Sequence, residues 1–260
     1  SKLKKSILQE AIQGKLVPQI KEEGTAEELL VDIRTEKGRL VKEGKLKKSA
    51  LNDSTIFKGD DNKYYEQIGK SVKEITEEIA FDLPNGWYWC RLKDICSIFT
   101  GATFKKEEAT ITRKGIRILR GGNISPFELK IKDDDIFLTK DKVKEDILLK
   151  ENDILTPAVT SLENIGKMAR VDSDMSDTTV GGFVFIIRLH LINRWFSKYI
   201  LYLLSSPFMI DFMKSITNKS GQAFYNIGKE RLSMALLPIP PLTEQYRIVT
   251  QIEKLFEQLR

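Results

Sequence analysis

The chain has 260 residues, of which 41% are hydrophobic and 30% charged, a balance typical of a globular protein with one or two domains. Its 42 Lys and Arg residues outnumber its 37 Asp and Glu residues, which permits a polyanionic partner without demonstrating one. Two cysteines and one histidine are too few for a disulfide framework or a four-ligand zinc site. We therefore expect no metal, no cofactor and a cytoplasmic location.

Amphipathic helices are predicted at both ends of the chain. Apolar residues recur at helical spacing over residues 2–16, and Pro18 ends that pattern. Thr25 and Glu28 have the spacing of a capping box, which predicts the start of a second helix. The same helical spacing returns over residues 248–259.

The middle of the chain has a mixed pattern. The predicted elements are strands at 116–120, 167–171 and 183–188, and helices beginning after Asn193 and after Ser206-Pro207. The predicted organisation is a helical region (1–50), a polar linker or arm (51–86), a mixed α/β domain (87–237) and the start of another helix (238–260). Residues 237–242 are rich in proline and predict a stiff, extended connector. The expected fold class is α+β.

No complete active-site signature is present. Residues 69–71 lack the upstream glycine of a phosphate-binding loop, and Pro240-Pro241 lacks the aromatic residue of an adenine methyltransferase motif. Glu128 and Lys130 have a spacing found in nucleases, but no suitable upstream Asp accompanies them. We predict that the chain is not an enzyme. A stand-alone nuclease using Glu128 and Lys130, and a purely structural adaptor, stay open as alternatives.

Three segments of the α/β domain combine small residues with side chains that read DNA: residues 117–123, 156–167 and 218–226. Arginine pairs with guanine, Asn and Gln pair with adenine, and lysine contacts phosphates. Each segment also has an ordinary interpretation as a turn or a loop. Residues 101–125 hold six basic and two acidic residues, whereas residues 133–153 hold eight acidic and four basic ones. Such a two-sided charge distribution favours one orientation toward a polyanion. The candidate DNA-binding residues are Lys105, Lys106, Arg117, Arg120, Asn123, Thr160, Ser161, Asn164, Lys219, Ser220, Gln222, Tyr225 and Asn226.

Several segments, in order, resemble the specificity subunits of type I restriction–modification systems. The matching segments include SILQEAIQGKLVPQ (6–19), AEELL (26–30), LPNGWYWCRL (83–92), ILRGGNI (118–124), NDIL (152–155) and PPLTEQYRIV (240–249). The first two resemble the family's conserved helical region. The others resemble the start, interior and end of a target-recognition domain.

The resemblance implies a DNA-binding subunit that performs no chemistry. In that family each target-recognition domain reads one half of a split DNA sequence, and long, coiled-coil-like helices set the gap between the halves. Methyltransferase (M) subunits and a restriction and translocation (R) subunit dock on it. With one such domain, the chain is expected to be a half-length subunit or the C-terminal half of a longer one. A half-length subunit would form a homodimer through its terminal helices.

Overall fold

The computed structural model describes every residue from Ser1 to Arg260. The helices are α1 (Lys2–Ile12), α2 (Ala26–Lys42), α3 (Leu92–Ile95), α4 (Arg194–Leu204), α5 (Pro207–Ser215), α6 (Lys229–Ser233) and α7 (Leu242–Gln258). The strands are β1 (Ser54–Lys58), β2 (Tyr64–Ile68), β3 (Ser71–Glu74), β4 (Tyr88–Arg91), β5 (Cys96–Thr100), β6 (Ile116–Leu119), β7 (Ile124–Ser125), β8 (Glu128–Leu129), β9 (Ile136–Leu138), β10 (Ile154–Pro157), β11 (Val159–Thr160), β12 (Ala169–Arg170), β13 (Thr178–Val180), β14 (Val184–Leu189), β15 (Thr217–Ser220), β16 (Phe224–Ile227) and β17 (Leu236–Ile239). This mixture of helices and strands confirms the α+β fold class. None of the helices is both long enough and apolar enough to cross a bilayer.

The chain divides into two compact units. The first comprises Ser1–Cys96 and Ser233–Arg260, and the second comprises Ser97–Leu232. The boundaries predicted at 87 and 237 therefore fall inside the first unit. The reason is that β4 and β17 pair there as antiparallel strands, with Cys90 opposite Leu237. The proline-rich segment predicted as a connector thus contributes a strand.

In the first unit, helices from the two ends of the chain pack against each other. Helix α1 buries Leu8, Ala11 and Ile12, and α7 buries an apolar face that includes Ile252. The ammonium group of Lys4 lies 5.1 Å from the centre of the Phe256 ring. The predicted pairing of the terminal helices is therefore present within one chain. Helix α1 ends at Ile12, earlier than predicted, and Gly14 follows it with a positive φ of 71°.

Helix α2 begins where the sequence predicts, but its start is stabilised in another way. The Thr25 side chain makes no capping hydrogen bond, so the predicted capping box is wrong. Instead, the Ala26 amide donates to the Gly86 carbonyl at 2.8 Å. This bond to another segment satisfies one of the amides that the first helical turn leaves without a partner.

The segment predicted as a linker or arm is a folded antiparallel sheet of β1, β2 and β3. Its inner face buries Ile56 against Trp89 and Leu236. The inward-facing Glu66 forms a two-bond ion pair with Arg91, with N–O distances of 2.9 and 3.0 Å. The strands look polar in sequence because β3 is exposed along its whole length and because a buried position of β2 is occupied by this glutamate.

The second unit is built from short sheets around an apolar core. The central sheet has the order β12-β10-β14-β5, and a second sheet has the order β13-β6-β9. Leu119, Leu155, Val180 and Ile186 are buried together between them. The predicted strands at 116–120, 167–171 and 183–188 correspond to β6, β12 and β14.

Both helix starts predicted in the second unit are confirmed. The Asn193 side chain accepts hydrogen bonds from the amides of Trp195 and Phe196 at 2.9 and 3.0 Å. Ser206 accepts from the Met209 amide, with Pro207 in the first helical position. These caps are recognisable from sequence because every participating group lies within three residues.

Candidate nucleic-acid interface

The second and third candidate segments form one sheet in the second unit. Strands β15 and β16 are a hairpin, and β11 pairs with β16 in the order β11-β16-β15. Val159 lies opposite Asn226, and Thr160 lies opposite Tyr225. Side chains about 65 residues apart in sequence, such as Thr160 and Tyr225, are therefore neighbours.

The first candidate segment lies beside this sheet. A side chain built on Gly121 would approach the ring of Pro157, the last residue of β10, at 3.8 Å, and β11 begins two residues later. Arg120 and Gly121 also line a cavity of about 770 Å³ together with Val159 and Phe183. The three segments predicted separately from sequence thus come together in one region of the second unit.

Asn123 and Arg117 are held inside the first segment. Asp135 accepts hydrogen bonds from Arg117 at 2.8 Å, from the Asn123 amide group at 2.6 Å and from the Lys132 backbone at 2.9 Å. Asn123 is only 2% exposed, and its side chain also bonds the Arg120 amide and the Lys130 carbonyl, both at 2.8 Å. Asn123 therefore supports the loop from inside and presents no surface to a DNA base, a correction to its predicted role.

The electrostatics of this network agree with a structural role. Burial raises the pKa of the Asp135 carboxyl, but the three hydrogen bonds outweigh burial and hold that pKa below its ordinary value. The Arg117 guanidinium also lies 4.8 Å from the centre of the Phe137 ring. Arg117 is thus occupied on two sides by groups of its own unit.

Arg120 differs from Arg117 although only two residues separate them. Arg120 is exposed, and its guanidinium makes one hydrogen bond, to the Asp134 carbonyl at 3.2 Å. No carboxylate pairs with it. An arginine guanidinium has five N–H donors, so most of those of Arg120 are available to a partner.

The β15–β16 hairpin carries its polar side chains in solvent. Lys219, Ser220, Gln222 and Asn226 are exposed, and Tyr225 is partly buried. Lys219, Gln222 and Asn226 make no side-chain hydrogen bond or ion pair within the chain. Amide and ammonium groups without internal partners are free to bind an external one.

The other predicted DNA-binding residues differ in how exposed they are. Lys105 and Lys106 are exposed, and Lys106 lines the cavity near Arg120. Thr160 is 8% exposed, which leaves its side chain little contact surface. Asn164 donates to the Ser161 hydroxyl at 2.9 Å, so these two stabilise their own turn.

The cavity near Arg120 is not lined by Glu128, Lys130, the single histidine or either cysteine. Glu128 and Lys130 are exposed on and beside the β7–β8 hairpin, with their charged groups 3.7 Å apart. His190 is buried. Both thiols, Cys90 and Cys96, are buried, and loss of solvation raises their pKa. That change keeps the thiols neutral, consistent with small core residues.

Sequence reasoning missed Phe183, which it placed inside a strand. The residue precedes β14 and exposes 72% of its surface on the rim of the same cavity. The sequence feature that could have revealed this exposure is the preceding Gly181-Gly182 pair. Two glycines before an aromatic residue indicate a turn rather than a continuous strand.

Comparison with known proteins gives a consistent result. The family model described as type I restriction modification DNA specificity domain matches residues 84–260. The chain is 32% identical over 98% of its length to the type I restriction enzyme EcoAI specificity subunit of Escherichia coli, and 26% identical over 98% to the EcoEI specificity subunit of the same organism. It spans only 39% and 40% of those two relatives. A chain from a solved type I restriction–modification system matches 69% of this chain and 40% of its own length, with a TM-score of 0.50 and 22% identity.

Proposed function

Because this chain belongs to the family of type I restriction modification DNA specificity domains, we propose that it selects the DNA sequence on which a modification and restriction complex acts. Its second unit reads one half-site of a split recognition sequence in double-stranded DNA. The chain itself neither cuts nor methylates DNA. Its proposed place of action is the cytoplasm.

The observation that carries this proposal is that several side chains able to bind bases lie in one region and keep hydrogen-bonding groups free. Arg120 lies beside the sheet whose β15–β16 hairpin carries Gln222 in its turn and Asn226 in β16. Arginine bonds the O6 and N7 atoms of guanine, and the amides of Gln and Asn bond N6 and N7 of adenine. The exposed Lys105, Lys106 and Lys219 supply the phosphate contacts that hold the protein in register.

The first unit supports a second part of the proposal, which concerns protein partners. The names of the curated relatives describe specificity subunits of restriction enzymes. We propose that DNA methyltransferase subunits, and through them a restriction and translocation subunit, dock on the helices of the first unit. Leu3 in α1 is 61% exposed, and Leu259, the residue that follows α7, is 38% exposed. A second copy of the chain is proposed to dock there.

Binding and turnover assays test the proposal. A gel-shift assay at low and moderate salt should show weak binding that falls steeply as salt rises, because phosphate contacts dominate affinity and one half-site is read. Incubation of DNA with S-adenosylmethionine or divalent metals should give no methylation or cleavage beyond that of a mock purification. Cleavage that co-purifies with the chain and disappears in Glu128→Ala would contradict the proposal and favour a nuclease.

A further inference from the structure

Phe183 is more exposed than any other aromatic residue of the chain, at 72%. Exposing so large an apolar side chain to water is unfavourable, and phenylalanine is usually buried in folded proteins. An exposed apolar patch is typical of a contact surface, and Phe183 shares the lining of one cavity with the equally exposed Ile111. The position of the ring in the second unit indicates what it contacts.

The backbone around Phe183 is held on both sides. Its carbonyl accepts hydrogen bonds from the amides of Ala158 and Val159 at 2.8 and 3.4 Å. The Gly181 amide donates to the Leu119 carbonyl at 2.8 Å, and the Val184 amide donates back to Gly181 at 3.0 Å. The turn is therefore fixed between the residue preceding Arg120 and the first residue of β11.

The ring stands on the rim of the cavity of about 770 Å³. Ala102, Ile136 and Val184 contribute apolar walls, and Ile111, which is also 72% exposed, lies on the lining. Lys106 and Arg120 are the charged residues of the lining, and no Asp or Glu belongs to it. An apolar surface bordered only by cations is complementary to an apolar group attached to a polyanion.

We propose that Phe183 is a specificity-determining residue that contacts the C5-methyl group of a thymine in the major groove. The inference rests on the proposed function and adds a residue and a base to it. The thymine methyl is the apolar group that base pairs present in the major groove. Lys106, beside the ring, faces a phosphate, and Arg120 reads a neighbouring base.

The expected loss of affinity follows from the size of the buried group. Removing one buried methyl group from an apolar contact weakens binding by about fourfold. Replacement of thymine by uracil removes only that methyl, because the hydrogen-bonding atoms of the two bases are the same. The comparison of thymine with uracil therefore isolates the contact of the Phe183 ring.

The test is a selection of bound sequences from two pools of randomised duplexes, one with thymine and one with uracil in its place. The full 260-residue chain should enrich a motif from the thymine pool. One thymine position of that motif should lose about fourfold of its preference in the uracil pool. Phe183→Ala should lose this preference in the thymine pool and keep the other positions, whereas Phe183→Leu should retain it.

Ile192→Ala is the matched control, because Ile192 is an apolar residue of the same unit that is 81% exposed and does not line the cavity. It should give the wild-type motif from both pools. An enriched motif that is identical in the two pools, or a thymine preference that survives Phe183→Ala, would overturn this inference alone. A general loss of affinity in Phe183→Ala without any thymine-specific change would overturn it in favour of a ring inserted between base pairs. Failure of the wild type to enrich any sequence would remove the proposed function as well.

Discussion

Residues 116–135 and the hairpin of residues 217–227 carry the same kinds of polar side chain and use them in opposite ways. In the first region, Arg117 and Asn123 are bonded to the buried Asp135. In the hairpin, Lys219 and Gln222 have no partner within the chain. Residue type identifies a side chain able to read DNA, while internal hydrogen bonding decides whether that side chain remains available to do so.

The largest effect is expected from breaking the buried network. Asp135→Ala should lower the free energy of unfolding by about 3–5 kcal/mol, because it leaves the Arg117 charge and the Asn123 amide without their partner. Asp133→Ala is the matched control, since Asp133 pairs with Arg113 at 2.7 Å but its side chain is fully exposed. An exposed pair contributes about 0–1 kcal/mol. Urea unfolding curves of the two variants check the difference, and equal losses would show that the network is not structural.

Arg117 in β6 and Arg120 just after it are expected to respond differently to replacement. Arg120→Ala should leave stability within about 0.5 kcal/mol of the wild type and reduce discrimination at one base pair by about 1–3 kcal/mol. Arg117→Ala should do the reverse, destabilising the fold because the Asp135 carboxylate stays buried. Thermal unfolding together with competition binding on single-base variants of the selected motif gives both quantities. An unchanged motif in folded Arg120→Ala would remove Arg120 from the interface.

The hairpin lysine is expected to act on affinity rather than on sequence preference. Lys219→Ala should weaken binding to all duplexes by a similar factor and reduce the slope of log K against log salt by about 0.9, the value for one phosphate contact. Lys140→Ala, which changes another exposed lysine of the same unit, should leave the slope unchanged. Salt titrations on one selected and one unrelated duplex measure both quantities. A loss of affinity that depends on the DNA sequence would indicate that Lys219 contacts a base instead of a phosphate.

The smallest effect is the pH dependence of the buried network. The pKa of Asp135 in the folded protein lies below its ordinary value of 3.8, so its contribution is fully present above about pH 4. As the pH falls through the folded pKa, the carboxyl is protonated and the contribution is lost. The stability difference between wild type and Asp135→Asn should therefore shrink in acid. A difference that stays constant from pH 7 to pH 3 would contradict the assignment.

Parts of the fold are predictable from sequence because their causes are local. The caps at Asn193 and Ser206, and the apolar spacing of α7, involve neighbours within a few residues and are confirmed. The β1–β3 sheet is not predicted, because Glu66 occupies an inward position only by pairing with Arg91, 25 residues away. Likewise, no local pattern shows that Pro238 belongs to a strand opposite Trp89.

The candidate interface is also only partly predictable from sequence. Sequence identifies the residue types of all three segments, but it treats Arg117, Arg120 and Asn123 alike. Asp135 distinguishes them, because it binds Arg117 and Asn123. It lies in the acidic stretch of residues 133–153 rather than in the basic stretch of residues 101–125 that holds the three candidates. Phe183 is missed because strand and turn positions look alike in an apolar run, until the backbone bonds to Ala158 and Val159 are known.

DNA reading by the β15–β16 hairpin is tested by the motif that the double variant Gln222→Ala, Asn226→Ala binds. Both residues are exposed on the hairpin, so the variant should unfold at the wild-type temperature. In a selection from randomised duplexes, one or more positions of the wild-type motif should become degenerate, while the remaining positions are kept. A fully folded double variant that enriches the complete wild-type motif would show that the hairpin does not read DNA.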